Sequence, residues 1–231
     1  SNVGDWVFAL SGDFDIGDAR DLARRYIGTL FGAEQTEQYK DFQVDPPSTI
    51  VTKEVHAGTG DKGSLTFDWN APSDDPETES VYADVLTSVL NIRLTDHIRE
   101  ELGASYSPSA YVAINTEPDQ RVESFLNVTG DPATIPQISK IVIDDVTALH
   151  ATGPRPDEFD AAIAELTETY SYFDNQTIVD LIARAPDAPE LISRFKHRST
   201  VLEDITGVTL QRFVSQVMPL DRYIEVRTVP A

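Results

Sequence analysis

No part of this chain restricts its fold more than the tract between Asp75 and Gly103. Asp75 followed by Pro76 reads as a helix start, because the carboxylate can accept the free amides of a first turn and proline loses nothing at the first helical position. Val81, Tyr82, Val85, Leu86, Val89, Leu90, Leu94, Ile98 and Leu102 then keep a helical period until Gly103, a natural left-handed terminator. A helix with so long an apolar stripe has to cover something. Strand patterns flank it. Leu65, Phe67 and Trp69 alternate with Ser64, Thr66 and Asp68, and residues 48–55 are rich in β-branched types. These two runs are expected to form a hairpin closed by GTGDKG, residues 58–63. Two more strands are expected at about 104–114 and 120–129, the first at a sheet edge because Pro108 cannot donate a ladder hydrogen bond.

The rest of the chain follows the same local rules. Trp6 to Leu10 is an unbroken apolar run, as expected of a strand covered on both faces. Asp15 is placed to cap a helix whose Ala19, Leu22, Ala23, Tyr26, Ile27 and Leu30 share one face. Residues 32–47, polar and carrying Pro46-Pro47, read as a connecting loop. Gly130-Asp131-Pro132 opens a helix with Ile138, Ile141, Val142, Val146 and Leu149 on its apolar side, so the strand, Gly-Asp and helix order of residues 7–30 recurs loosely at 122–149. Further helices are expected from Pro156, through Phe159, Ala162, Ile163, Leu166 and Tyr170, and around Leu210, Phe213, Val214 and Val217. RYIEVRTV forms a final strand. This order is neither doubly wound nor a bundle. It predicts one α+β domain over residues 1–231, a mixed or antiparallel sheet with helices packed mainly on one face.

Net charge excludes some functions. Thirty-nine acids against 18 bases leave −21, which opposes non-specific binding to nucleic acid or anionic lipid. No apolar run approaches the ~20 residues that span a bilayer. With no cysteine there is no disulfide or thiolate chemistry to read. The one methionine is Met218, and the opening Ser1-Asn2 resembles a vector remnant, so a piece of a longer protein is expected.

Catalytic motifs are mostly missing. No cysteine nucleophile, Gly-rich phosphate loop or G-x-S-x-G turn occurs, and none of His56, His97, His150 and His197 makes H-E-x-x-H or its inverted form. HIREE, His97 to Glu101, comes nearest, with glutamate where a second histidine belongs. It reads more simply as exposed polar helix, as Asp13, Asp15 and Asp18 read more simply as a cap than as a calcium cluster.

Residues 90–110, LNIRLTDHIREELGASYSPSA, resemble the pitrilysin/insulinase family of inverted-zincin metallopeptidases: a long helix, Arg-Glu-x-x-Gly, then a small residue before Tyr-Ser. VFALSGDFDIGDARDLARRYIGTL is similar to that family's strand, Gly-Asp and helix opening, and GPRPDEFDAAIAEL to a later helix start. EDITGVTLQRFVSQVMPLDRYIEVRTVPA resembles the closing helix and strand of large bacterial insulinase-like zinc proteases. The resemblance implies the repeated α+β domain seen in mitochondrial processing peptidase-type metallohydrolases. It further implies a Zn2+-dependent endopeptidase whose two halves close around a peptide or unfolded polypeptide, with zinc held by H-x-x-E-H in the other half. Lacking that motif, this chain would be the C-terminal, substrate-contacting unit, inactive alone and holding no metal itself. Export is the expectation by analogy with the large bacterial members.

Carried over residue by residue, the implied site is Arg99 and Tyr106. Peptide hydrolysis builds negative charge on the former carbonyl oxygen, which a phenol and a guanidinium can meet. Tyr106 would face that oxyanion, and Arg99 would hold substrate carbonyls or a carboxylate. The plain structural reading is a cation stabilising the carbonyl end of its helix beside an ordinary strand tyrosine. Two other functions stay open: a non-catalytic scaffold or peptide-binding half of the same family, and an unrelated acidic α+β interaction domain.

Overall fold

A computed structural model describes residues 3–4, 6–33, 45–115 except 103–106, and 119–231 except 187 and 189, with backbone alone for 101, 102 and 107. Its sheet forms around β1 (Ile50–His56), β2 (Gly63–Pro72), β3 (Ser107–Asn115), β4 (Arg121–Gly130) and β5 (Tyr223–Val229), in the spatial order β1-β5-β2-β4-β3. β1 runs parallel to β5, and every other pairing is antiparallel. The sheet is therefore mixed, and Pro108 does lie on an edge strand.

The expected hairpin is split. β1 and β2 do not pair; the chain's last strand enters between them, with Ile50 opposite Tyr223 on one side and Asp68 opposite Ile224 on the other. Residues 57–62 span two strand spacings, roughly 10 Å, which a six-residue connection reaches easily.

Alternation in β2 decides which face is covered. Leu65, Phe67, Trp69 and Ala71 are buried, and their neighbours Thr66, Asp68 and Asn70 are half-buried on the opposite, polar face. Phe67 stacks on Trp69 with centroids 5.3 Å apart, Tyr223 leans on both, and the Trp69 indole donates to the Pro219 carbonyl at 3.2 Å. Each such buried side chain contributes roughly 1.5–3 kcal/mol relative to exposure.

Helices cover that face. The long helix expected from the Asp75 tract is present as Pro76–Leu102, started by the Asp75 carboxylate accepting from Thr78 N–H at 3.2 Å. Since one helix precedes it, Ile16–Tyr26 is α1 and Pro76–Leu102 is α2. Asp131 accepts from Ala133 N–H at 2.9 Å and opens a 3₁₀ turn, Pro132–Thr134, leading into α3 (Ile135–Thr152). Then follow α4 (Pro156–Ser171), α5 (Asn175–Arg184), α6 (Glu190–Asp204) and α7 (Gly207–Val217). The pattern anticipated α4 and α7. It did not resolve α5, which buries no residue although Ile178, Leu181 and Ile182 share one face, or α6, which buries only Leu202.

The N-terminal segment departs from expectation. Residues 6–10 make no ladder, and Trp6, Val7, Phe8 and Leu10 are exposed. α1 forms as the pattern predicts, with Asp18 N–H donating to the Asp15 carboxylate at 3.0 Å, yet no residue of it is buried. A strand needs a neighbour to complete its ladder, and neither edge of this sheet receives this one.

Candidate functional site

The inner side of α2 carries charges that its apolar period concealed. Arg93, between Leu90 and Leu94, is buried, and its guanidinium meets Glu158 of α4 at 2.9 Å through Nε and at 2.6 Å through the second terminal nitrogen. Glu158 is also buried; it accepts from the Arg155 backbone N–H at 2.9 Å and pairs with the Arg155 side chain at 3.0 Å. Removing one partner of such a pair leaves an uncompensated buried charge, typically a loss of about 3–5 kcal/mol.

One turn further along α2, His97 Nδ1 lies 2.6 Å from the Asp145 carboxylate of α3, and its Nε2 lies 3.2 Å from the Arg155 guanidinium. Arginine has only donors, so Nε2 accepts and Nδ1 carries the proton that it donates to Asp145. The second carboxylate oxygen of Asp145 is buried without a partner among the described residues. Burial raises the Asp145 carboxyl above 3.8, against the opposing pull of His97 and Arg93. These contacts lock α2, α3 and α4 together at the end of α2 that carries Arg99.

Within HIREE, the side chain of Glu101 lies outside the described residues. Both His97 nitrogens are engaged, one beside a guanidinium that would repel a cation, and among the described residues no group of three or more metal-ligating side chains converges.

On the outer side of α2, the helix seals the sheet edge. Asn91 donates to the Ala110 carbonyl at 3.0 Å and accepts from the Ala110 N–H at 2.9 Å; Thr87 accepts from the Val112 N–H at 2.9 Å. Two side chains thus imitate a neighbouring strand along β3. Next to them lies a cleft of about 240 Å³ lined by Asp84, Ser88, Asn91, Tyr111 and Glu165. Its acids are partnered, Glu165 accepting from Ser88 at 2.5 Å and Asp84 from the Tyr170 hydroxyl.

Arg99 stands in the last turn of α2, exposed, and no hydrogen bond or ion pair engages its side chain among the described residues. β3 starts at Ser107, immediately after the REELGASY segment. Tyr106, the other expected site residue, lies outside the described residues.

A family model described as "Peptidase M16 inactive domain" matches residues 4–166. The chain belongs to the M16 peptidase family. Solved structures agree in fold. The periplasmic protease PqqL from Escherichia coli aligns with a TM-score of 0.72 and 14% identity over 95% of this chain and 25% of its own. An M16 inactive domain from Pseudomonas fluorescens aligns with a TM-score of 0.75 and 18% identity over 95% and 52%, and pitrilysin with 0.61 and 16% over 94% and 23%. This chain therefore spans between about a quarter and a half of the structures it matches. No curated protein sequence matches it. The α+β fold with its mixed sheet is that of the M16 C-terminal domains, and the chain matches the domain described as inactive in this generally zinc-dependent peptidase family.

The charged seam under α2 escaped sequence reasoning, although one signal was there: Arg93 interrupts an otherwise apolar stripe, and a charge at a core position needs a partner. Among the described residues no helix is long and apolar enough to cross a membrane.

Proposed function

We propose that this M16 domain is the substrate-contacting unit of a zinc endopeptidase, in which Arg99 and Tyr106 face the peptide while another domain of the same protein, or a partner subunit, holds the zinc. The observation that carries this reading is Arg99 itself. An exposed guanidinium without a partner among the described residues sits at the end of a helix whose inner side is anchored by Arg93–Glu158 and His97–Asp145. A cation held on a rigid element loses little freedom when it meets a carbonyl or carboxylate. Its planar fork suits either group. Tyr106, from the segment joining α2 to β3, supplies the phenol donor for the oxyanion. The substrate is a peptide or unfolded polypeptide, and the likeness to PqqL, a periplasmic protease, supports an exported location.

The full enzyme carrying the zinc-bearing half tests this. Tyr106→Phe keeps the ring and removes one donor, so kcat falls about a hundred- to a thousandfold, ~2.7 to 4 kcal/mol, at an unchanged melting temperature. Arg99→Lys keeps the charge and loses the fork, so KM rises as kcat falls. The 231-residue chain alone hydrolyses no peptide. Near-normal turnover with phenylalanine at position 106 overturns the assignment.

The family description as an inactive domain favours a second reading, a peptide-binding or scaffolding half without a catalytic partner. H-x-x-E-H in the remainder of the protein supports the peptidase; its absence supports the scaffold.

A further inference from the structure

A cleft of about 280 Å³ lies between α5 and α6, lined by Thr177, Asp180, Leu181 and Arg184 of the first helix and by Leu191 and Phe195 of the second. That is just below the ~300–1,000 Å³ of sites for drug-sized ligands, so it suits roughly one residue. Thr177, Leu181 and Arg184 stand at helical steps along α5, as Leu191 and Phe195 do along α6, which is why two short helices present one shared seam. Phe195 is fixed as its wall. The Phe173 ring meets it edge-on with centroids 6.0 Å apart, and the Arg198 guanidinium lies 4.1 Å from its centroid. Arg198 is held in turn by donating to the Tyr170 carbonyl at 2.9 Å.

Two further guanidiniums are differently placed. Arg184 lines the cleft and Arg194 precedes Phe195; among the described residues the side chain of neither makes a hydrogen bond or ion pair. Arg184 does not take even the carboxylate one turn before it, and Asp180 instead accepts from Gln176 at 2.8 Å. Arg194 is half-buried. Burial lowers its guanidinium from the ordinary range against the pull of Asp84 and Glu190, and Arg184 adds a like charge. The two cations are thus close enough to repel, whereas a charge taken out of water is ordinarily paired. Residues 181–202 carry four bases and two acids in a chain of net charge −21, a local positive region on an acidic molecule.

We propose that this cleft binds the C-terminal residue of a polypeptide whose last side chain is apolar, with its carboxylate on Arg184 and Arg194 and its side chain between Leu181, Leu191 and Phe195. An arginine fork matches a carboxylate through two parallel hydrogen bonds. In a terminal residue the amide N–H and the carboxylate flank one Cα, so Asp180, which keeps lone pairs after Gln176, accepts that N–H within the same cleft. An acidic side chain lacks the apolar group on the same residue. Nucleic acid and anionic lipid are repelled by the net charge beyond this region. The cleft is separate from the role given to Arg99: His197, on α6, meets Glu77 in the first turn of α2, and roughly 33 Å of helix lies between Glu77 and Arg99.

Fluorescence anisotropy of short labelled Gly-Ser peptides titrated with the 231-residue chain tests it. A peptide ending in leucine with a free carboxylate is expected to bind saturably. Amidation of that terminus, or glycine in place of the leucine, weakens binding at least about tenfold, the ratio for one lost charge-assisted hydrogen bond or one unburied side chain. Arg184→Gln and Arg194→Gln each weaken the free-acid peptide by a similar factor and narrow its difference from the amide; Arg184 is exposed, so its variant keeps the melting temperature of the natural chain. Equal affinity for acid and amide overturns the proposal. So does an amidated peptide with an internal glutamate that binds as tightly as the free acid, the mark of a side-chain carboxylate, and so does a lack of saturation at millimolar concentration.

Discussion

Asp145 is a buried acid with one oxygen on His97 and the other without a partner among the described residues. Desolvation lifts its carboxyl above 3.8, while Glu158, close by, adds a like charge and His97 and Arg93 pull the other way. The sign of its effect on stability follows from proton counting. Just above pH 3.8 the folded protein still holds a proton that the unfolded chain has released, so this group's contribution to stability is lost as pH rises through the raised value. It therefore offsets the ordinary acid loss caused by carboxylates such as Glu77, whose carboxyl the His197 and Ser193 hydrogen bonds hold below its usual range. Asp145→Asn keeps an acceptor for His97 and cannot titrate. Urea unfolding of the variant at a series of pH values from 3.8 upward should show a steeper fall in stability on acidification than the natural chain; an unchanged slope would mean that the carboxyl is not raised.

At the level of elements, α2 and β3 share one task, the closure of a sheet edge. An open edge presents unpaired amides and carbonyls and invites another chain to pair with it. Asn91 occupies both polar groups of Ala110, and Thr87 the amide of Val112. Ala110 is 6% exposed, so water does not take over when a partner is removed. Asn91→Ala should cost about 1–3 kcal/mol for each backbone group left without a partner, with faster exchange of the Ala110 amide as its signature. Asn91→Asp, which keeps the acceptor and loses the donor, should lie between. Equal unfolding midpoints for all three proteins would show that the edge needs no seal.

Across the whole molecule, the core and the N-terminal segment are energetically separate. The core runs from Leu65 to Tyr223, while no described residue between 3 and 33 is buried. Removing residues 1–31 should therefore change stability by less than about 0.5 kcal/mol and the melting temperature by less than about 2 °C. A loss of several degrees in a calorimetric scan would place the segment in this domain's core.

Local chemistry determined the elements. The Asp75-Pro76 start and the stripe from Val81 to Ile98 specify α2, the alternation of Leu65, Phe67 and Trp69 specifies a one-sided β2, and Pro108 confines β3 to an edge, because each depends on neighbours within a few residues. REELGASYS carries the family resemblance in the same local way. The tertiary structure decided what those elements meet. β5 entered between β1 and β2 because pairing across some 160 residues is a matter of which edges are free, not of pattern. Arg93 was readable as a charge in an apolar stripe, but its match with Glu158 required α4 to fold back over α2. The run from Trp6 to Leu10 reads as an interior strand and lies exposed, because an apolar pattern specifies only that a strand favours cover, whereas pairing depends on which sheet edges are free, and neither edge of this sheet receives it.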